Sequence, residues 1–98
     1  MARSIVWNKR PIRFLVQALK WISTDSVLQA ERVEQEVLTA INSIPVNPEL
    51  HPPDKFKRNN AGNFRAFEIV SFRIAYKITE SQIRILRIRH VKQEPRHY

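Results

Sequence analysis

Apolar residues recur along the chain with two different periods. Residues 3–7 (Arg-Ser-Ile-Val-Trp) predict a short opening strand. Asn8 follows as a helix cap, with Pro11 in the first turn, where its missing N–H costs nothing. Ile12, Leu15, Val16, Leu19 and Ile22 recur at i, i+3, i+4, i+7 and i+10, the stripe of a helix ending near Trp21 or Ile22. Ser23-Thr24-Asp25-Ser26 reads as a break, and Ser26 with Gln29 forms a capping box for a second helix. That helix carries Val27, Ala30, Val33, Val37, Leu38, Ile41 and Ile44 on one face and turns Glu31, Glu34 and Glu36 to water.

From residue 64 the period falls to two. Phe64 to Val70 reads as a strand and Ser71 as a tight turn. Phe72, Ile74, Tyr76 and Ile78 then alternate with Arg73, Ala75 and Lys77. A turn at Thr79-Glu80-Ser81-Gln82 leads to a last strand, Ile83 to Val91. There the alternation breaks: Ile83 and Ile85 lie on one face, Leu86 and Ile88 on the other. A bulge near Leu86, or burial of both faces, accounts for this. Between helices and strands, residues 45–63 hold Pro45, Pro48, Pro52 and Pro53 and the turn signal Asn59-Asn60-Ala61-Gly62-Asn63. So long a connection in a small domain suggests a functional loop. The expected fold is α+β, a single domain over residues 1–98 in the order β-α-α-β-β-β, with an antiparallel meander covered by the N-terminal helical hairpin.

Composition narrows the function classes. A chain of 98 residues has room for one modest core and not for a large cofactor enzyme. No cysteine is present, so there is neither a disulfide framework nor a thiolate metal site. A single glycine, Gly62, excludes glycine-rich phosphate loops. His51, His90 and His97 lack metal-ligand spacing, so neither metal nor cofactor is expected. Short apolar runs and the lack of an N-terminal apolar segment predict a cytoplasmic protein without a membrane span.

Charge adds the partner class. The formal net charge is +8, and residues 65–98 alone contribute +5. Arg65, Arg73, Lys77, Arg84, Arg87 and Arg89 lie on neighbouring strands, and most are expected on one open sheet face, where only an anion relieves their repulsion. Phe64, Phe72 and Tyr98 are candidate stacking rings, although core packing is the simpler reading for Phe72 and Tyr76. Metal-free RNA cleavage needs a base, cations at the phosphate and an acid for the leaving oxygen. Asp54, Glu94, His90 and His97 are candidate bases. Lys57, Arg65 and Arg73 are candidate charge stabilisers, and Tyr98 or His97 a candidate acid.

The element order and the phrase Phe72-Arg-Ile-Ala-Tyr76-Lys-Ile resemble the RelE/ParE superfamily of type II toxins. The later Arg87-Ile-Arg-His90 and Gln93-Glu94-Pro95 fit its final strand and tail. The resemblance implies a toxin held by a cognate antitoxin. RelE-like members cleave mRNA on the ribosome; ParE-like members inhibit DNA gyrase without nuclease activity. Several residues resemble the YoeB-like ribonucleases. Arg73 matches their phosphate-contacting arginine, Pro53-Asp54-Lys55-Phe56-Lys57 their general-base loop, and His97-Tyr98 their terminal dipeptide. Their arginine on the first meander strand falls near Phe67, two residues from Arg65, and their loop acid is Glu rather than Asp. Glu94-Pro95 resembles the ParE-like tail. The resemblance thus implies an mRNA endoribonuclease, with gyrase inhibition as the alternative. Asp54, Lys57, Arg65, Arg73, His97 and Tyr98 are its catalytic set; Lys55, Arg58, Lys77, Arg87, Arg89, His90 and Lys92 bind RNA.

Overall fold

The computed structural model describes residues 2–93 and 96–98. The elements are β1 (Ser4–Trp7), α1 (Lys9–Asp25), α2 (Val27–Asn42), a 3-10 turn (Ile44–Val46), β2 (Phe64–Ile69), β3 (Phe72–Ile78) and β4 (Gln82–His90). One four-stranded sheet runs β1-β4-β3-β2. The meander β2-β3-β4 is antiparallel as expected. β1 adds to it in parallel beside β4, pairing Ser4 with Gln82 through Trp7 with Ile85, so the sheet is mixed.

Local chemistry explains where the helices depart from the sequence reading. Ser23 and Thr24 do not break α1, because their hydroxyls donate to the Lys20 and Trp21 carbonyls and the helix continues to Asp25. Asn8 stands at the N-cap, yet its Oδ1 accepts from Arg84 rather than from the first turn. Ser26 does cap α2, accepting from the Gln29 amide at 3.0 Å. The face of α1 is rotated from the predicted stripe. Pro11, Phe14, Leu15, Ala18, Leu19 and Ile22 meet the sheet, and Ile12 and Val16 remain exposed. On α2, Ala30, Val33, Val37 and Ile41 are buried, whereas Val27 and Leu38 are exposed.

The core lies between the hairpin and one sheet face, where Phe72, Ile74, Tyr76, Ile83, Ile85 and Ile88 pack beneath Leu15, Val33, Val37 and Ile41. The bulge is at Leu86. Tyr76 pairs with Ile85 and Ala75 with Arg87, so Leu86 is the extra residue, and Ile88 returns to the core face. The Tyr76 hydroxyl donates to the Pro48 carbonyl at 2.7 Å and ties the proline-rich connection to the core. Among the described residues no helix is long and apolar enough to cross a membrane.

The β2–β3 hairpin turns through Val70 and Ser71, with φ of 46° and 84°. Two positive φ values in a two-residue hairpin suit Asn-Gly, not a β-branched residue followed by serine. Ser71 is exposed and only its carbonyl is used, accepting from the Val91 amide. Ser71→Gly is therefore expected to stabilise the fold by roughly 0.5–1 kcal/mol, seen as a higher midpoint in urea.

Candidate functional site

Strand pairing divides the basic residues between two faces. Glu68, Arg73 and Arg89 are cross-strand neighbours, as are Ala66, Ala75 and Arg87, and Phe64, Lys77 and Arg84. These form the face turned away from the hairpin. Arg73, Lys77, Arg84, Arg87 and Arg89 thus share it as expected. Arg65 does not. It pairs with Tyr76 on the hairpin side, and its guanidinium donates to the carbonyls of Gly62, Glu49 and His51. The step of two residues from Phe67 does preserve the face, but that face is the wrong one. His90 is also on the hairpin side, edge-on to Phe72 at 5.4 Å. Phe72 and Tyr76 are core residues, 2% and 0% exposed.

The connection and the chain end fold over the centre of the open face. The Pro52 carbonyl accepts from the Ala66 amide, and the Asp54 amide donates to the Phe64 carbonyl. Residues 52–54 therefore seal the outer edge of β2, where prolines are tolerated. Asp54 begins an Asx turn, its Oδ1 accepting from the Phe56 amide at 3.0 Å. Asn60 braces this loop: Nδ2 donates to the Phe64 carbonyl and Oδ1 accepts from the Gly62 and Phe64 amides. The tail pairs with the loop, the Tyr98 amide donating to the Phe56 carbonyl and the Arg58 amide to the Tyr98 carbonyl. Ala66 and Ala75 are small enough to leave room for both segments and are themselves buried beneath them.

Asp54, Arg73 and Tyr98 meet under this cover. Asp54 Oδ1 lies 2.9 Å from Arg73 Nη2, and Oδ2 accepts from the Tyr98 hydroxyl at 2.7 Å. Asp54 is 3% exposed. Burial alone would raise its pKa. The hydrogen bonds from Tyr98, the Phe56 amide and Arg73, with the arginine's charge, outweigh that and hold the carboxyl below the usual range. Tyr98 is pushed up by burial and by the carboxylate it bonds. Cations cover the rings. The Arg87 guanidinium stands 4.6 Å from the Tyr98 ring, Arg73 4.8 Å and Arg89 5.5 Å from Phe56, and Lys57 4.6 Å from Phe64. Burial and the charges of Arg73 and Arg87 lower the Arg89 pKa, the repulsion expected of a crowded basic face. The space left among these groups is about 10 Å³, no more than one water needs.

The remaining predicted residues lie around this cluster. Lys57 Nζ donates to the Arg58 carbonyl, and Lys55 projects over Phe56. Arg58 contributes its backbone, and Lys77 lies over Phe64 at the rim. His97 is exposed, edge-on to Phe56 at 5.5 Å. Lys92 is exposed in the turn after β4. Glu94 and the Glu94-Pro95 dipeptide lie outside the described residues. Two organising residues escaped the sequence reading. Phe56 carried a signal in its Lys-Phe-Lys setting, a ring between two cations, whereas Asn60 was one asparagine among three in a turn. His51 stacks on Phe67 at 4.1 Å, and burial lowers its pKa, as for a packed histidine. Among the described residues no group of three or more His, Asp or Glu side chains could hold a metal.

The family model for the ParE toxin of type II toxin–antitoxin systems (parDE) matches residues 5–95. The chain belongs to the ParE toxin family. Among solved structures, a chain of the chromosomal ParDE toxin–antitoxin system from P. aeruginosa matches with a TM-score of 0.72 at 15% identity. The match covers 91% of this chain and 96% of that one. No curated protein sequence matches. This ParE-family toxin therefore has the superfamily's fold, and a cognate antitoxin is its partner. The buried cluster of Asp54, Arg73 and Tyr98 and its cation-covered rings stand on the sheet face of a ParE-type chain.

Proposed function

We propose that this ParE-family toxin acts by inhibiting DNA gyrase and not by cleaving mRNA. The observation that carries the reading is the closed state of the Asp54 cluster. Both carboxylate oxygens are occupied, and about 10 Å³ remains between acid, arginine and phenol, far below the size of a phosphate. Proton transfer works best with groups whose pKa lies near the working pH. Asp54 is held below the ordinary carboxylate range and Tyr98 above the ordinary phenol range, which makes a weak base and a weak acid. The three groups that a ribonuclease would use here fasten the loop to the tail instead. Membership of the ParE family supports the same reading.

The test is supercoiling by purified gyrase with the purified toxin, run beside primer extension on an abundant mRNA after induction in bacteria. Loss of supercoiling with intact message is the expected result. Discrete, translation-dependent cuts in the message that vanish in Asp54→Asn would establish the ribonuclease reading instead.

A further inference from the structure

We propose that the open sheet face at the row of Phe64, Lys77 and Arg84 binds a single-stranded nucleic acid without cutting it. β2, β3 and β4 place these three side chains beside one another. Lys57 reaches in from the connection, its Nζ 4.6 Å from the centre of the Phe64 ring and 5.4 Å from that of Tyr98. Lys77 Nζ stands 5.3 Å from Phe64. The Arg87 guanidinium, one row further along the face, stands 4.6 Å from Tyr98. The two rings meet edge to face, 6.2 Å apart at 84°. Both rings and all four cations are half-buried, so flat apolar surface and positive charge reach solvent side by side.

The fold does not answer these charges from within. Among the described residues the ion pairs are those of Asp54 and Glu68, and both go to Arg73. Lys57 and Arg87 donate to the carbonyls of Arg58 and Arg96, and Arg84 donates to the side-chain oxygens of Asn8 and Gln82. Among the described residues, four partly desolvated cations thus have only neutral oxygens or ring faces as partners, and an external anion stabilises such a group. The rings decide which anion. A single strand repeats one base for every phosphate, so a base can stack on a ring while its phosphate meets the neighbouring cation. A duplex keeps its bases in its own stack and leaves the rings unused. An acidic peptide needs partners for its backbone, and the peptide groups under this face are spent in the β2–β3 and β3–β4 ladders. Successive rows lie roughly 7 Å apart, two residues of a strand, so Lys77 and Arg84 in one row and Arg87 in the next give an extended strand more than one phosphate contact. The Asp54 cluster beside them has about 10 Å³ to spare and admits no phosphate, so the strand is held intact.

The experiment uses the purified full chain and a fluorescein-labelled twelve-nucleotide oligothymidylate. Binding is followed by fluorescence anisotropy at rising salt, and the strand is recovered on a gel afterwards. Neither gyrase nor ribosomes enter the assay, so its outcome does not depend on which enzyme the toxin poisons. An oligouridylate and a DNA duplex of the same length, and polyglutamate, are the comparisons. Phe64→Leu should weaken binding by about fivefold or more, the low end for one base–ring stack, and Phe64→Tyr, which keeps a ring, should restore it. Lys57→Gln and Lys77→Gln should each flatten the log–log salt slope by about 0.7. Lys20→Gln makes the same change of charge at an exposed position of α1 and should leave affinity within about twofold. Urea midpoints show that each variant is folded. Tighter binding of either the thymidylate or the uridylate supports the proposal and assigns its source as DNA or RNA. No binding at about 100 μM, equal binding of the duplex, equal displacement by polyglutamate, a strand recovered cut, or equal losses in Lys20→Gln and Lys77→Gln would overturn it.

Discussion

Asp54→Ala is expected to lower the free energy of unfolding by about 2–4 kcal/mol, measured by urea denaturation with tryptophan fluorescence. Removing one partner of a buried ion pair leaves the other charge desolvated without compensation, and such changes typically cost about 3–5 kcal/mol. The lower bound reflects Arg73, which keeps a second carboxylate, that of the exposed Glu68, at 3.5 Å. Three hydrogen bonds to the Asp54 side chain disappear together: those from Arg73, Tyr98 and the Phe56 amide. Tyr98→Phe removes one of these, and its cost should be about 1 kcal/mol. The two changes share a partner, so the double variant should fall short of the sum by about 0.5–1 kcal/mol. Strict additivity would mean that the phenol and the carboxylate act separately. An Asp54→Ala chain as stable as the parent would show that the loop and tail are not fastened through this residue.

Strand periodicity made most of this arrangement legible. The alternation in 72–78 assigned Phe72, Ile74 and Tyr76 to the core and Arg73 to the open face, and the broken pattern of β4 left a bulge near Leu86 or burial of both faces, of which the strand register shows the bulge. The helices were less legible. A stripe of Ile12, Leu15, Val16, Leu19 and Ile22 spans more than the face that packs, and the sequence does not say which edge of it stays wet. Phe14 and Ala18 took the places assigned to Ile12 and Val16. The position of β1 was hidden because a parallel pairing of the first strand, Ser4–Trp7, with the last, Gln82–His90, leaves no local mark. Arg65 was grouped with the other cations because it lies on a neighbouring strand, and only the register, which pairs it with Tyr76, puts it on the hairpin side. Meanwhile the convergence of Asp54, Arg73 and Tyr98 was visible only through the resemblance, and the resemblance carried the residues but not their state. Whether a carboxylate is free or bonded on both oxygens depends on where the tail lies, and no spacing rule encodes that.

Alkaline titration should destabilise this protein steeply between about pH 10 and 12. Tyr76 is wholly buried, and burial pushes its pKa up to about 12, slightly moderated by the charge of Arg65. Tyr98 is raised as well, by burial and by Asp54. A tyrosine freed by unfolding ionises near pH 10. Below that pH both states hold the proton and stability is level. Above it only the unfolded chain loses the proton, so stability declines until the folded phenols also ionise. The loss at Tyr76 alone is on the order of 2–3 kcal/mol. At the other end of the scale Asp54 acts in the opposite sense. Its contribution is present above the ordinary carboxylate pKa and is lost as pH falls below it. The measurement is the urea midpoint across the pH range. It should be flat from about pH 5 to 9 with respect to these groups and fall on both sides. Tyr98→Phe should make the alkaline fall shallower and leave the part due to Tyr76. An alkaline limb unchanged in Tyr98→Phe would mean that the tail phenol is already ionised or already exposed, and the buried contact with Asp54 would then not exist in solution.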